Sequence, residues 1–141
     1  MSLDRRQFLA AGAGAASALT AGCAGRLTQC VPFGGDGLPH DAALAVTPVD
    51  SVPDDADTVA LADFAERERE MLRTAIDEGV VRACMREETD RTAALDGIAD
   101  AVGVDTYLTD GSDAYGLWVR ITDQVFAASG DPPEDDASPC C

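Results

Sequence analysis

The chain has 141 residues and a formal net charge of −16, from 26 acidic against 10 basic side chains; every basic one is arginine, and lysine and asparagine are absent. This balance argues against nucleic acid as a partner, because gripping a phosphate backbone takes a basic stripe. Hydrophobic residues make up 46%, too many for a chain that stays disordered throughout.

What remains is adaptation to strong salt. At about 1 M salt the screening length falls to roughly 3 Å, which mutes the self-repulsion of an acidic surface while its solubility is kept. The missing lysine fits, since an apolar stem is poorly matched to a strongly hydrated surface.

Residues 1–22 read as an export signal. Arg5 and Arg6 precede a weakly apolar run from Phe8 to Ala21. At about fourteen residues it is shorter than the ~20 that span a bilayer, so it has the anatomy of a signal and not of a membrane anchor. The Arg-Arg pair followed by Phe8 and Leu9 resembles a twin-arginine signal. The run ends Leu19-Thr20-Ala21-Gly22-Cys23, which resembles a lipobox with Cys23 as the lipidated residue. Together with the acidic, lysine-free composition, these motifs look like those of a haloarchaeal surface lipoprotein. The resemblance implies passage through the twin-arginine translocase, a membrane anchor through lipid on Cys23, and a place on the extracytoplasmic face of the cell membrane.

Residues 23–56 are rich in Gly, Pro and Asp and read as a flexible spacer with one short extended piece at Ala43–Val46. Residues 57–128 read as a small α+β domain. Thr58–Leu61 is a buried-strand candidate. Asp63, with Glu66 three places on, has a capping-box pattern ahead of a helix whose inner face is Phe64, Met71, Leu72, Ala75 and Ile76; Gly79 closes it. The alternating Glu66, Arg67, Glu68, Arg69 and Glu70 read as a solvated helix face.

Val80–Met85 reads as the next strand. A second helix runs from Asp90 to Val102, with Ala94, Leu95, Ile98 and Val102 inward and Gly103 at its end. Val104–Thr109 is a third strand, and Asp110-Gly111 a turn. Tyr115, Leu117, Val119 and Ile121 then alternate with Gly116, Trp118, Arg120 and Thr122, a period-two strand. Asp123 breaks the alternation, so a bulge or bend is expected before Val125 and Phe126. The predicted order is β-α-β-α-β-β, with the last two strands antiparallel and both helices on one face of the sheet. Residues 129–141 read as an acidic, proline-rich, disordered tail. The stretches ADFAERERE, AIDEGVVRAC and DGSDAYGLWVRITDQVFA are similar to an uncharacterised domain of haloarchaeal secreted proteins, which brings no activity with it.

Cysteine carries the most chemistry. With Cys23 given to lipid, Cys30, Cys84, Cys140 and Cys141 remain, an even set in a small exported domain. Cys84 is the one inside the folded region, and its partner is Cys30, Cys140 or Cys141. Cys140 and Cys141 are adjacent and His40 is remote, so they lack the two spaced pairs of a zinc site, and no C-x-x-C redox motif occurs. Gly34-Gly35-Asp36-Gly37 opens no helix, and His40 on the spacer is a poor general base. Asp110 and Asp113 flank a turn that explains them better than a cation does. Trp118 alternates with the inward set, so it either covers the sheet's second face or contacts a partner.

The expected function is therefore a non-enzymatic, lipid-anchored surface module without a cofactor, binding an envelope protein or a small ligand. The alternatives are an accessory or hydrolytic module with a carboxylate site, and a thiol-based metal or redox carrier.

Overall fold

A computed structural model describes residues 40–134 and 139–140, all within one compact unit spanning 37–140. It shows an α+β domain with a six-stranded, mostly antiparallel sheet and two helices. In chain order the elements are β1 (Asp41–Val49), β2 (Asp57–Ala60), a 3-10 turn (Leu61–Asp63), α1 (Glu66–Glu78), β3 (Val80–Cys84), α2 (Asp90–Ala101), β4 (Thr106–Asp110), β5 (Asp113–Ile121) and β6 (Gln124–Ala128). The sheet order is β2-β4-β5-β1-β3, and β6 also pairs with β5.

The largest correction is β1. The stretch expected to be spacer up to residue 56 holds a nine-residue strand that pairs antiparallel with both β3 and β5. Its first six residues, Asp41 to Val46, are buried. Ala42, Leu44 and Val46 join the main core, while Ala43 and Ala45 point to the opposite face and are 0% and 5% exposed. A strand buried on both faces shows no polar alternation, and its three alanines give little hydrophobic contrast. Proline at position 48 falls near the strand's end, where Pro48 is exposed.

The sheet also gains β6. The break in alternation at Asp123 is a reversal: Thr122 and Asp123 connect β5 to a strand that returns antiparallel along it. A register irregularity lies opposite Val119 and Arg120. β4 and β6 share one edge of β5, β4 against Asp113–Gly116 and β6 against Trp118–Ile121.

Both helices cover the face that carries Leu44, Val81, Leu108, Leu117 and Val119. Their inner residues Met71, Leu72, Ala75, Ala94, Leu95 and Ile98 are buried in the same cluster. α1 begins later than its capping pattern suggested. Asp63 lies in the 3-10 turn, the cap is Ala65, and Glu68 accepts the Ala65 N–H at 3.1 Å. A carboxylate there also complements the helix dipole. Gly79 ends α1 at φ 86, a conformation that costs a residue with a Cβ considerably more. Thr89 caps α2 by exchanging hydrogen bonds with Thr92, at 3.2 and 3.0 Å. Val104, expected to open β4, instead lies before it and is 57% exposed.

The tail after β6 is not disordered at its described ends. The Ser129 hydroxyl donates to Thr106 O at 2.6 Å and accepts from Leu117 N at 2.8 Å, and Gly130 N donates to Leu117 O at 2.8 Å. These bonds fill the gap that β4 and β6 leave on the edge of β5. They bring Gly130 so close to Gly116 that a Cβ on either would sit within 3 Å of the other's backbone. At the far end Cys140 is bonded to Cys84.

Candidate functional site

The face of the sheet opposite the helices carries the most distinctive side chains. Strand alternation decides which ones. On β5, Leu117 and Val119 point to the core, so Trp118 and Arg120 point away. On β1, Ala43 stands in register with Arg82 on one side and Arg120 on the other, and Ala45 stands between Val80 and Trp118. Methyl side chains thus form the floor, flanked by two guanidiniums and an indole.

Arg120 is held from three directions. Its Nη2 lies 2.6 Å from Asp41 Oδ2, its Nη1 donates to the carbonyl of Thr122, and its guanidinium carbon lies 5.9 Å from the centroid of the Trp118 ring. That distance is within cation–π range. The Asp41 side chain is 9% exposed and that of Arg120 is 22% exposed. Breaking such a pair from one side leaves a poorly hydrated charge behind. Thr122 also takes a left-handed backbone, φ 55, which a β-branched residue rarely adopts. Its N–H donates to Asp41 O at 3.0 Å, and its hydroxyl bonds Asp123 Oδ1 at 3.2 Å. Asp41, Arg120 and Thr122 therefore lock the β5–β6 turn beside Trp118.

At the β1–β3 end, Cys84 and Cys140 are joined with their Cα atoms 4.9 Å apart. Of the three partners open to Cys84 in the sequence, the structure pairs it with Cys140. Cys140 Sγ also lies 3.3 Å from the carbonyl oxygen of His40. While this bond stands, neither sulfur is a thiolate for metal or exchange chemistry. A cleft of about 330 Å³ opens beside it, lined in part by Arg82, Glu87, Thr89 and Arg91. Arg91 also donates to Arg82 O at 3.2 Å, which covers part of the outer edge of β3.

Between the helices, a cavity of about 180 Å³ is lined by Arg67, Glu70, Met71, Thr74, Val81, Asp90, Arg91 and Ala94, below the size of ordinary small-molecule sites. Arg67 and Asp90 stand 3.6 Å apart there, both well exposed. The described residues contain no group of three or more His, Cys, Asp or Glu placed to hold a metal ion, and no described helix is long and apolar enough to cross a membrane. Tyr115, half-buried on β5, has its phenol pushed above its ordinary value by desolvation first, then by the carboxylates of Asp113, Asp110 and Asp77.

Of the residues singled out in the sequence, His40, Cys84, Asp110, Asp113, Trp118 and Cys140 lie among the described residues, with Asp110 and Asp113 paired across the β4–β5 turn. Arg5, Arg6, Phe8, Leu9, Cys23, Cys30 and Cys141 lie outside the described residues. The sequence reading missed the pairing of Asp41 with Arg120. The available signal was Arg120, the charged residue in an otherwise apolar or aromatic stretch of strand. Comparison with protein-family models, with curated proteins and with solved structures gives no match.

Proposed function

We propose that this chain is a non-enzymatic, salt-adapted module held at the outer face of the membrane through lipid on Cys23. Its binding surface is the sheet face around Trp118 and Arg120, and its partner is an envelope protein or a small ligand. The observation that carries the reading is the fixed Asp41–Arg120–Trp118 cluster, a preorganised cation and aromatic ring on a face that no described helix covers. Side chains already locked in place lose little entropy when a partner arrives, and Trp and Arg are the commonest anchors of binding surfaces. The export half rests on the Arg5-Arg6 and Cys23 motifs. The Cys84–Cys140 bond is in keeping with it, because disulfides persist in oxidising compartments.

Two measurements test the two halves. Replacing Cys23 with Ser should move the protein out of the membrane fraction or leave an unprocessed precursor, and replacing Arg5 and Arg6 with Lys should block export. A fully processed Cys23→Ser protein that still sediments with membranes would rule out the lipid anchor. For the surface, immobilised domain should capture a component of solubilised envelope in molar salt. Trp118→Ala should capture it at least tenfold less well while keeping the native circular dichroism spectrum. Equal capture by a folded Trp118→Ala protein would remove this face from the binding role.

A further inference from the structure

We infer that the Cys84–Cys140 bond exchanges with small thiols, with Cys140 as the sulfur attacked and Cys84 as the leaving thiolate. Such exchange needs only a thiol as co-reactant, so it is independent of the lipid anchor and of the export route.

The two sulfurs have opposite surroundings. Val81 and Ala83 of β3 belong to the core, so Arg82 and Cys84 share the other face of that strand. After Cys84 the chain turns back, with Glu87 N donating to Cys84 O at 3.2 Å. The start of α2 thereby comes alongside, and Arg82, Cys84, Glu87, Thr89, Arg91 and Pro139 line one cleft of about 330 Å³. Two guanidiniums face one carboxylate there, in a chain whose net charge is −16. Thr89 caps α2, so the positive end of that helix lies on the same wall. Asp41 of β1 stands in register with Cys84, but its carboxylate is held by Arg120 at 2.6 Å. Arginines and helix N-termini favour a thiolate, and salt screens partly buried charges less than exposed ones.

Cys140 meets the reverse. Its Sγ lies 3.3 Å from His40 O, a carbonyl fixed by the N–H of Met85 at 2.7 Å. A carbonyl oxygen accepts from an S–H and repels a thiolate, which favours the neutral thiol. Both cysteines are half-buried, not sealed in the core. In exchange, the sulfur that better bears a negative charge leaves faster, so attack falls on Cys140.

The steps balance as follows. A small thiolate attacks the Cys140 sulfur, forms a mixed disulfide there and expels the Cys84 thiolate into the arginine-lined cleft. A second small thiolate attacks the first one's sulfur and expels Cys140, which takes a proton. Two small thiols lose two electrons and become one disulfide. Of their two protons, one ends on Cys140 and the other in solvent, and the protein is left with a Cys84 thiolate and a Cys140 thiol.

The test uses the full-length chain carrying Cys23→Ser, Cys30→Ser and Cys141→Ser, in molar salt. Adding Cys140→Ser isolates Cys84, and adding Cys84→Ser isolates Cys140. The pH dependence of iodoacetamide alkylation, followed by mass, should give Cys84 a midpoint of about 7.5 or lower. Cys140 should lie at or above the ordinary value of about 8.5. Arg82→Gln with Arg91→Gln should return Cys84 to about 8.5, whereas Arg82→Lys with Arg91→Lys should keep it low. A Cys84 midpoint at or above that of Cys140, or one unmoved by the Gln pair, in proteins that keep the native circular dichroism spectrum, would overturn the inference.

A second readout starts from the intact bond and so from a stapled fold. Under excess 2-mercaptoethanol, with acid quenching, the Gln pair should slow opening of the bond about threefold or more, and the Lys pair should match the parent. Tryptic mapping of the quenched parent should place the mixed disulfide on peptide 121–141, which holds Cys140, and leave peptide 83–86, which holds Cys84, without it. Equal opening rates in the parent and the Gln pair, or the adduct on 83–86, would refute the assigned roles.

Discussion

Leu44→Ala tests whether the stretch that reads as spacer is the middle of the sheet. Leu44 is 0% exposed and stands in register with Val81 on β3 and Val119 on β5. The substitution removes three buried carbons, which at about 0.8 kcal/mol each is roughly 2.4 kcal/mol of transfer free energy. The unfilled cavity adds to this, and comparable Leu→Ala changes cost about 2–5 kcal/mol. A residue on a solvated spacer would cost within about 0.5 kcal/mol.

For a domain of this size each kcal/mol lowers the melting midpoint by about 4–8 °C, so a fall of at least about 10 °C is expected. The single tryptophan, Trp118, lies on the strand next to Leu44, so its fluorescence in a urea titration reports the loss directly. Asp54→Ala, at an exposed position between β1 and β2, is the control. If Leu44→Ala and Asp54→Ala melt together with the parent, β1 is not the core strand described here.

The disulfide prediction uses a background in which Cys30 and Cys141 are both Ser. Reducing Cys84–Cys140 there releases a crosslink of sequence separation 56, worth up to about 4 kcal/mol in the chain-entropy model; an unchanged midpoint with reductant would refute the staple. Tyr115, read alone by phenolate absorbance in a Tyr107→Phe protein, should ionise above the ordinary 10.0. The native state then keeps a proton that the unfolded chain gives up, so stability should hold below about pH 10 and fall as pH rises through the native value. A midpoint at or below 10.0 would contradict the desolvation described. The acidic excess should make the domain unfold on dilution from molar to low salt as screening is lost, and a melting midpoint flat across that range would exclude salt adaptation.

The sequence made β5 legible because Leu117 and Val119 face a core while Trp118 and Arg120 do not, and such alternation survives in one dimension. The inner faces of both helices were legible for the same reason, at helical period. β1 was legible only as the short extended piece Ala43–Val46, because Ala42, Ala43 and Ala45 are buried on opposite faces and leave little contrast to mark a core strand of nine residues. The Asp41–Arg120 pair was hidden because it depends on the register between β1 and β5. A sequence does not display the register of strands so far apart. Cys84 was identifiable as the inner end of a bridge from its place in an apolar strand. The choice of Cys140 needed the position of the chain's end beside His40.

The strand met first along the folded part is therefore completed among the last. Leu44 finds Val81 early, but its other neighbour, Val119, lies near the end of the domain, so the middle of the sheet cannot close until most of the chain is available. Contacts of such long sequence separation slow folding toward milliseconds or longer. Until β5 arrives, β1 presents one bare edge with a run of small apolar side chains, the kind of surface that pairs with a second chain. Pairing with β5 removes that edge by placing β1 between two strands. The exposed interval thus runs from the pairing of β1 with β3 to the arrival of β5.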